Sequence, residues 1–178
     1  MVDQRRGFPV TAIGVVHRSG WPDDATTAEG EFFDPFAESI LEIYPEWAPG
    51  LAGIEEFSHL VVVLYMDRAE PRRPGDPLTH RVESLDDMPE VGLFGTRSPR
   101  RPNPLGLCYP RVLGRDGNQL RVSGLDAWPG TPVLDLKGYY LRDELRPDAT
   151  VPDWLRRLWT RHDTDRGPPV EWQGNDGR

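Results

Sequence analysis

The chain is poor in the groups that build covalent or metal scaffolds. Cys108 is its single cysteine, so no internal disulfide can form and a reducing compartment, the cytoplasm, is expected. No Cys/His cluster has metal-ligand spacing, and no metal is expected. No apolar run approaches the ~18 residues of a membrane span. The opening Met1-Val2-Asp3-Gln4-Arg5-Arg6 meets a polar, proline-containing stretch rather than a signal-peptide core. Internal repeats are absent, which removes solenoids. A Gly-x-Gly-x-x-Gly fingerprint after the first strand is also absent, which removes the doubly wound dinucleotide fold. Positive charge is short as well: Lys+Arg 21 against Asp+Glu 29 gives a formal net charge of -8. Such a chain repels a polyanion at long range, so any nucleic-acid footprint must be small and local.

What is present suits short strands and turns. With 178 residues, Gly 18 and Pro 19, the chain reads as one domain with tails, mainly β, with a core large enough to need no staples. Phe8 to Val16 reads as a first strand, ended by Gly20-Trp21-Pro22-Asp23-Asp24, and Ser39 to Tyr44 as a second. Leu60-Val61-Val62-Val63-Leu64-Tyr65 is a continuous β-branched run, expected to be central and buried on both faces. Arg68 to Glu90 carries four prolines and many charges and reads as an irregular, mobile excursion over the site. Arg111-Val112-Leu113 and Gln119 to Val122 flank an Asp-Gly turn, a hairpin signal, and Thr131 to Leu136 supplies another strand. The sum is a small antiparallel β-barrel over residues 1–145. Residues 146–163 form a C-terminal amphipathic helical segment with Trp154, Leu155, Leu158 and Trp159 on one face, expected to cover the open end of the barrel. Residues 164–178 read as a disordered tail.

One run has no ordinary structural explanation. Gly95-Thr96-Arg97-Ser98-Pro99-Arg100-Arg101-Pro102-Asn103-Pro104-Leu105-Gly106-Leu107 sets three arginines on a proline-stiffened backbone, which reads either as a preorganised anion-binding loop or as a solvated turn. Around it the charge is segregated. From Gly92 to Ser123 six arginines face one acid, a net +5; since the whole chain carries -8, the remainder carries -13. Two further stretches accompany the loop: Gly53-Ile54-Glu55-Glu56-Phe57-Ser58-His59-Leu60, and Leu125-Asp126 followed by Gly130 to Lys137. With these stretches, in this order and spacing, the chain resembles the TsaA-like (TrmO) family of S-adenosylmethionine-dependent tRNA methyltransferases over roughly Phe8 to Tyr140.

The resemblance implies S-adenosylmethionine as cofactor, with Arg97 and Leu107 of the loop, the Leu125-Asp126 segment and the Met66-Asp67 pair lining it. It further implies a homodimer with the cofactor site at the interface of two barrels. Methyl transfer from a sulfonium needs a fixed in-line approach more than acid–base help, and an arginine fork suits the methionine carboxylate. Arg100, Arg101, Asn103 and Tyr139 are candidates for holding the acceptor, although Asn103 could equally cap a turn. Asp135 and Lys137 share a strand face at period two; they either orient the acceptor or form an ion pair at a barrel rim. His59 is read as a hydrogen-bonded structural histidine rather than a base, and Cys108 as buried and inert. The chain departs from the family pattern where Met66-Asp67 stands in place of Phe-His and Lys137-Gly138-Tyr139 in place of Lys-Pro-Tyr. The implied activity is N6-methylation of threonylcarbamoyladenosine beside the anticodon of tRNA. An enzyme using the same barrel on a small molecule, a specialised metabolite, is the alternative, and a non-catalytic binding protein is a third reading.

Overall fold

A computed structural model describes residues 7–18 and 37–166. Among them lie nine strands: β1 (Gly14–Arg18), β2 (Glu38–Ile43), β3 (Leu60–Tyr65), β4 (Thr79–Arg81), β5 (Glu90–Gly92), β6 (Leu105–Cys108), β7 (Arg111–Asp116), β8 (Gln119–Ser123) and β9 (Pro132–Gly138). A one-turn helix α1 (Leu141–Glu144) and the helix α2 (Asp153–Arg166) follow. Two compact units result, one from residues up to Asp76 with Arg97–Glu144, the other from Pro77–Thr96 with the residues from Leu145 onward.

The first unit is a seven-stranded sheet in the order β6-β3-β9-β1-β2-β8-β7, antiparallel at every pairing. The expected antiparallel, mainly β architecture is therefore present. Alternation builds its core: Val16, Leu41, Leu60, Val62, Leu64, Leu120, Val122 and Val133 turn to one side and are fully buried. The Asp-Gly turn makes the β7–β8 hairpin, and its Asn118 is pinned to the end of β2, Nδ2 donating to the Ile43 carbonyl at 2.7 Å. Closure into a barrel does not follow from the strand order, which ends at β6 and β7. What links the flanks is one isolated bridge, His59 with Arg111, with Val112 N–H donating to the Ser58 carbonyl at 2.9 Å. β3 also differs from expectation. It lies one strand from the end of the order; Leu60, Val62 and Leu64 are buried on one face and Val61 on the other, where Val63 and Tyr65 are only half-covered.

The second unit corrects one expectation. The proline-rich stretch is not wholly irregular, because β4 within it pairs with β5 at its end; its prolines fall outside the paired residues, where no ladder donor is needed. The apolar face of α2 packs within this same unit. Leu158 is buried in a cluster with Val82 and Met88, and Trp154, Leu155, Leu85 and Val91 pack around it. Arg161 forks onto Asp87 at 2.9 and 3.2 Å and His162 Nε2 meets Glu83 at 3.0 Å. The helix begins at Asp153, behind Pro152, and runs past 163 to Arg166; residues 167–178 of the expected disordered tail and the turn expected at Gly20–Asp24 lie outside the described residues.

Candidate cofactor and acceptor site

The end of β3 and the start of β6 form the floor of the site. Their ladder pairs Tyr65 with Leu105, Leu64 with Gly106 and Val63 with Leu107. Beyond β3, Met66 N–H donates to the Pro104 carbonyl at 2.8 Å, and its sulfur lies where a Cβ on Gly106 would come within 2.9 Å. Gly106 is thus the cradle for Met66, and the thioether fills it without strain. The arginine loop is held from the same side. Arg101 offers its carbonyl to Arg72 N–H at 3.1 Å and Arg100 its carbonyl to Arg72 Nε at 3.3 Å, while the Arg100 guanidinium reaches Glu70 at 3.5 Å. The Asn103 main-chain carbonyl accepts from Leu105 N–H at 2.8 Å.

Arg97 and the Leu125–Pro129 segment meet across Cys108. The thiol donates to the Asp126 carbonyl at 3.5 Å. Burial pushes it up to about 11, with the Asp126 charge adding to the rise and the Arg97 charge opposing it. Cys108 is accordingly a structural thiol, as read from its sequence context. Arg97 itself is exposed and, among the described residues, carries no hydrogen bond or ion pair. Asp126 is exposed beside it, whereas Leu125 is only 2% exposed and has just its backbone to offer a ligand. Met66 thus lies against Gly106, the Cys108 thiol is within reach of both the Asp126 carbonyl and the Arg97 charge, and Leu107 is exposed on β6. A methionine carboxylate suits Arg97, a ribose suits the Asp126 carboxylate, and an apolar group suits Leu107, so the donor set fits S-adenosylmethionine.

Of the acceptor candidates, Arg100, Arg101 and Asn103 belong to the loop before β6, while Asp135 and Lys137 on β9 and Tyr139 just after it lie on the other side of β3. Val63 is paired with both Leu107 and Asp135, which puts Leu107 and Asp135 two strand spacings apart, about 10 Å. Asp135 and Lys137, the chain's single lysine, form an ion pair with each other, and Asp135 Oδ1 also accepts from Leu136 N–H at 2.9 Å. Tyr139 packs edge-on against Tyr109 at 6.0 Å and His59 at 6.3 Å. His59 shares a hydrogen bond with Ser58 Oγ through Nδ1 at 3.0 Å, and burial and the Arg111 charge hold it below its usual range. Its ring is hydrogen-bonded, as its setting suggested. Gly138 has a steric reason: a Cβ there would stand 2.5 Å from the Phe57 ring, which in turn stacks on Tyr140 at 5.9 Å.

Residues 16–143 match the family model described as tRNA-methyltransferase O N-terminal domain. The chain belongs to this family. It is 40% identical over 127 residues to an S-adenosyl-L-methionine-binding protein of Archaeoglobus fulgidus, covering 71% of this chain and 86% of the relative. A probable S-adenosyl-L-methionine-binding protein of the same organism is 48% identical over 99 residues, or 56% of this chain, but the match spans only 25% of that longer relative. A putative S-adenosylmethionine-dependent methyltransferase of Pseudomonas aeruginosa, RcsF, is 33% identical over 117 residues, 65% of this chain and 48% of its own length. In three dimensions the crystal structure of TrmO from Pseudomonas aeruginosa superposes with a TM-score of 0.58 at 24% identity, covering 93% of this chain and 77% of the other; that likeness concerns the fold.

Within this TrmO domain two features escaped the sequence reading. Arg68 crosses from the end of β3 to Trp128 and Pro129, and Arg115, one of the six arginines between Gly92 and Ser123, is tied to neighbouring carbonyls. Arg115 donates to the Leu51 carbonyl at 3.0 Å and the Gly117 carbonyl at 2.8 Å, and pairs with Glu55 at 3.4 Å. Its partners Leu51 and Glu55 lie about 60 positions away, so no local signal announces that role.

Proposed function

We propose that the chain is an S-adenosylmethionine-dependent methyltransferase whose acceptor is N6 of threonylcarbamoyladenosine beside the anticodon of tRNA. The observation that carries this reading is the exposed Arg97 guanidinium, unpaired among the described residues, whose charge reaches the Cys108 thiol that donates to the Asp126 carbonyl. The bound cofactor supplies an electrophilic methyl on a sulfonium. The chain's residues bind and orient: Arg97 grips a carboxylate, Leu107 packs the thioether arm, and Asp126 accepts from hydroxyls. Tyr109, Tyr139 and His59 offer aromatic faces and edges next to Arg111, the combination on which an unpaired base stacks. Asp135 and Lys137 orient the acceptor as a neutralised pair.

The same reading includes a C2 homodimer with the cofactor at the shared face, and a sheet closed as a barrel through the His59–Arg111 bridge. Support for the dimer comes from β6, a terminal strand with Leu105 47% and Leu107 55% exposed, and from Tyr109 just after it, 43% exposed, more apolar surface than a solvated edge carries. Light scattering that gives a monomer with cofactor bound overturns it. The small-molecule alternative draws on the committed arginines: Arg115 is tied inward and Arg100 paired with Glu70, which thins the phosphate-facing surface. Incubation with methyl-labelled S-adenosylmethionine and threonylcarbamoylated tRNA, beside a small-molecule extract, decides between them. Label is expected in tRNA; label confined to the extract overturns the tRNA acceptor.

A further inference from the structure

We infer that Arg68 is a positioning residue for the cofactor, clamping the Leu125–Pro129 segment to the end of β3. The inference rests on the cofactor reading above. The segment joins β8 to β9 and belongs to no strand. It is bracketed by Gly124 and Gly130, whose φ values of 75° and 83° lie in the left-handed region. Leu125, Ala127 and Pro129 are buried, which turns Asp126 and Trp128 outward toward the site. Apolar anchors of this kind fix depth, and polar contacts must fix the outward pair.

Two such contacts stand out. The thiol of Cys108 on the Asp126 carbonyl, at 3.5 Å, is a weak donor. Arg68 is stronger: its Nη2 donates to the Pro129 carbonyl at 3.0 Å while its guanidinium carbon lies 4.8 Å from the centroid of the Trp128 ring. A planar guanidinium can hold a hydrogen bond at its edge and cover an indole with its face at once; an ammonium cannot do both in one geometry. Arg68 leaves the chain two residues beyond Met66, whose N–H is bonded to Pro104 of the arginine loop. One short segment thereby ties both halves of the binding rim, the loop of Arg97 on one side and the stretch of Asp126 and Trp128 on the other. Arg68 acts through those residues and contacts no substrate in this assignment.

Calorimetric titration of the full chain with S-adenosylmethionine tests the clamp on the wild type, Arg68→Lys and Arg68→Met, together with hydrogen–deuterium exchange across residues 124–130. Arg68→Met is expected to weaken the cofactor Kd by about tenfold or more, with faster exchange confined to 124–130. Arg68→Lys, which keeps a cation over the indole, is expected to recover part of the affinity. A wild type that binds while Arg68→Met binds within about twofold of it overturns the clamp and leaves the cofactor reading standing. A wild type that does not bind S-adenosylmethionine overturns the cofactor reading, and the positioning role with it. If exchange accelerates throughout the sheet, the lysine variant decides: affinity no better than that of Arg68→Met overturns the assignment.

Discussion

At the scale of single residues, Arg97 and Cys108 show opposite uses of charge in one neighbourhood. An exposed guanidinium with no partner among the described residues gains most from a ligand carboxylate. Arg97→Ala is expected to weaken S-adenosylmethionine binding by about tenfold or more in a calorimetric titration, with thermal stability unchanged; equal affinity removes Arg97 from the site. Cys108 lies within range of that charge, its thiol raised from an ordinary 9.0 to about 11 by burial. A group that keeps its proton longer in the folded chain than in the unfolded one loses stability for the fold as pH rises between those two values. The loss is expected to total on the order of 2–3 kcal/mol. Denaturant midpoints measured from pH 8 to 11 check it, with Cys108→Ala as the flat reference. Below pH 8 the native thiol should resist alkylation, and rapid labelling there contradicts its burial.

Among the elements, those that depend on neighbours in sequence were legible and those that depend on distant partners were not. The run Leu60–Tyr65 and the Asp116-Gly117 turn announced β3 and the β7–β8 hairpin through β-branching and turn chemistry alone. β4 and β5 are three residues each and carry little pattern. The apolar stripe of α2 was visible, but its partner was not, since Asp87 and Arg161 lie 74 positions apart. The motif stretches around Arg97 and Leu125-Asp126 were equally plain, while the joint between them, Arg68 on Pro129 at a separation of 61, has no local signature. Gly138 belongs to the same class, because its reason is the Phe57 ring lying against the backbone. Gly138→Ala is expected to cost about 1–3 kcal/mol by overpacking. Pairing it with Phe57→Leu should return part of that loss in urea melts; simple additivity of the two changes would mean that the ring is not the obstacle.

For the molecule as a whole, the acidic balance and the arginine-rich middle set the terms of any encounter with tRNA. Of the arginines from Arg97 to Arg121, Arg115 is engaged with Leu51, Gly117 and Glu55, whereas Arg111 and Arg121 are exposed on the β7–β8 hairpin. Arg121→Glu is therefore the informative change. It is expected to reduce tRNA affinity severalfold at low salt, to flatten the salt dependence, and to leave cofactor binding alone; filter binding across a salt series reads all three, and an unchanged salt slope argues for a small-molecule acceptor. No helix among the described residues is long and apolar enough to cross a membrane. The cluster of Val82 and Met88 with Leu158 carries a last consequence, in the order of synthesis. A ribosome delivers the excursion well before the helix that covers it, so its valine and methionine emerge without their partner and stay uncovered until Leu158 has been made. Translation of α2 is the event that closes this part of the protein, and a nascent chain stalled before Leu158 presents those side chains to chaperones and proteases.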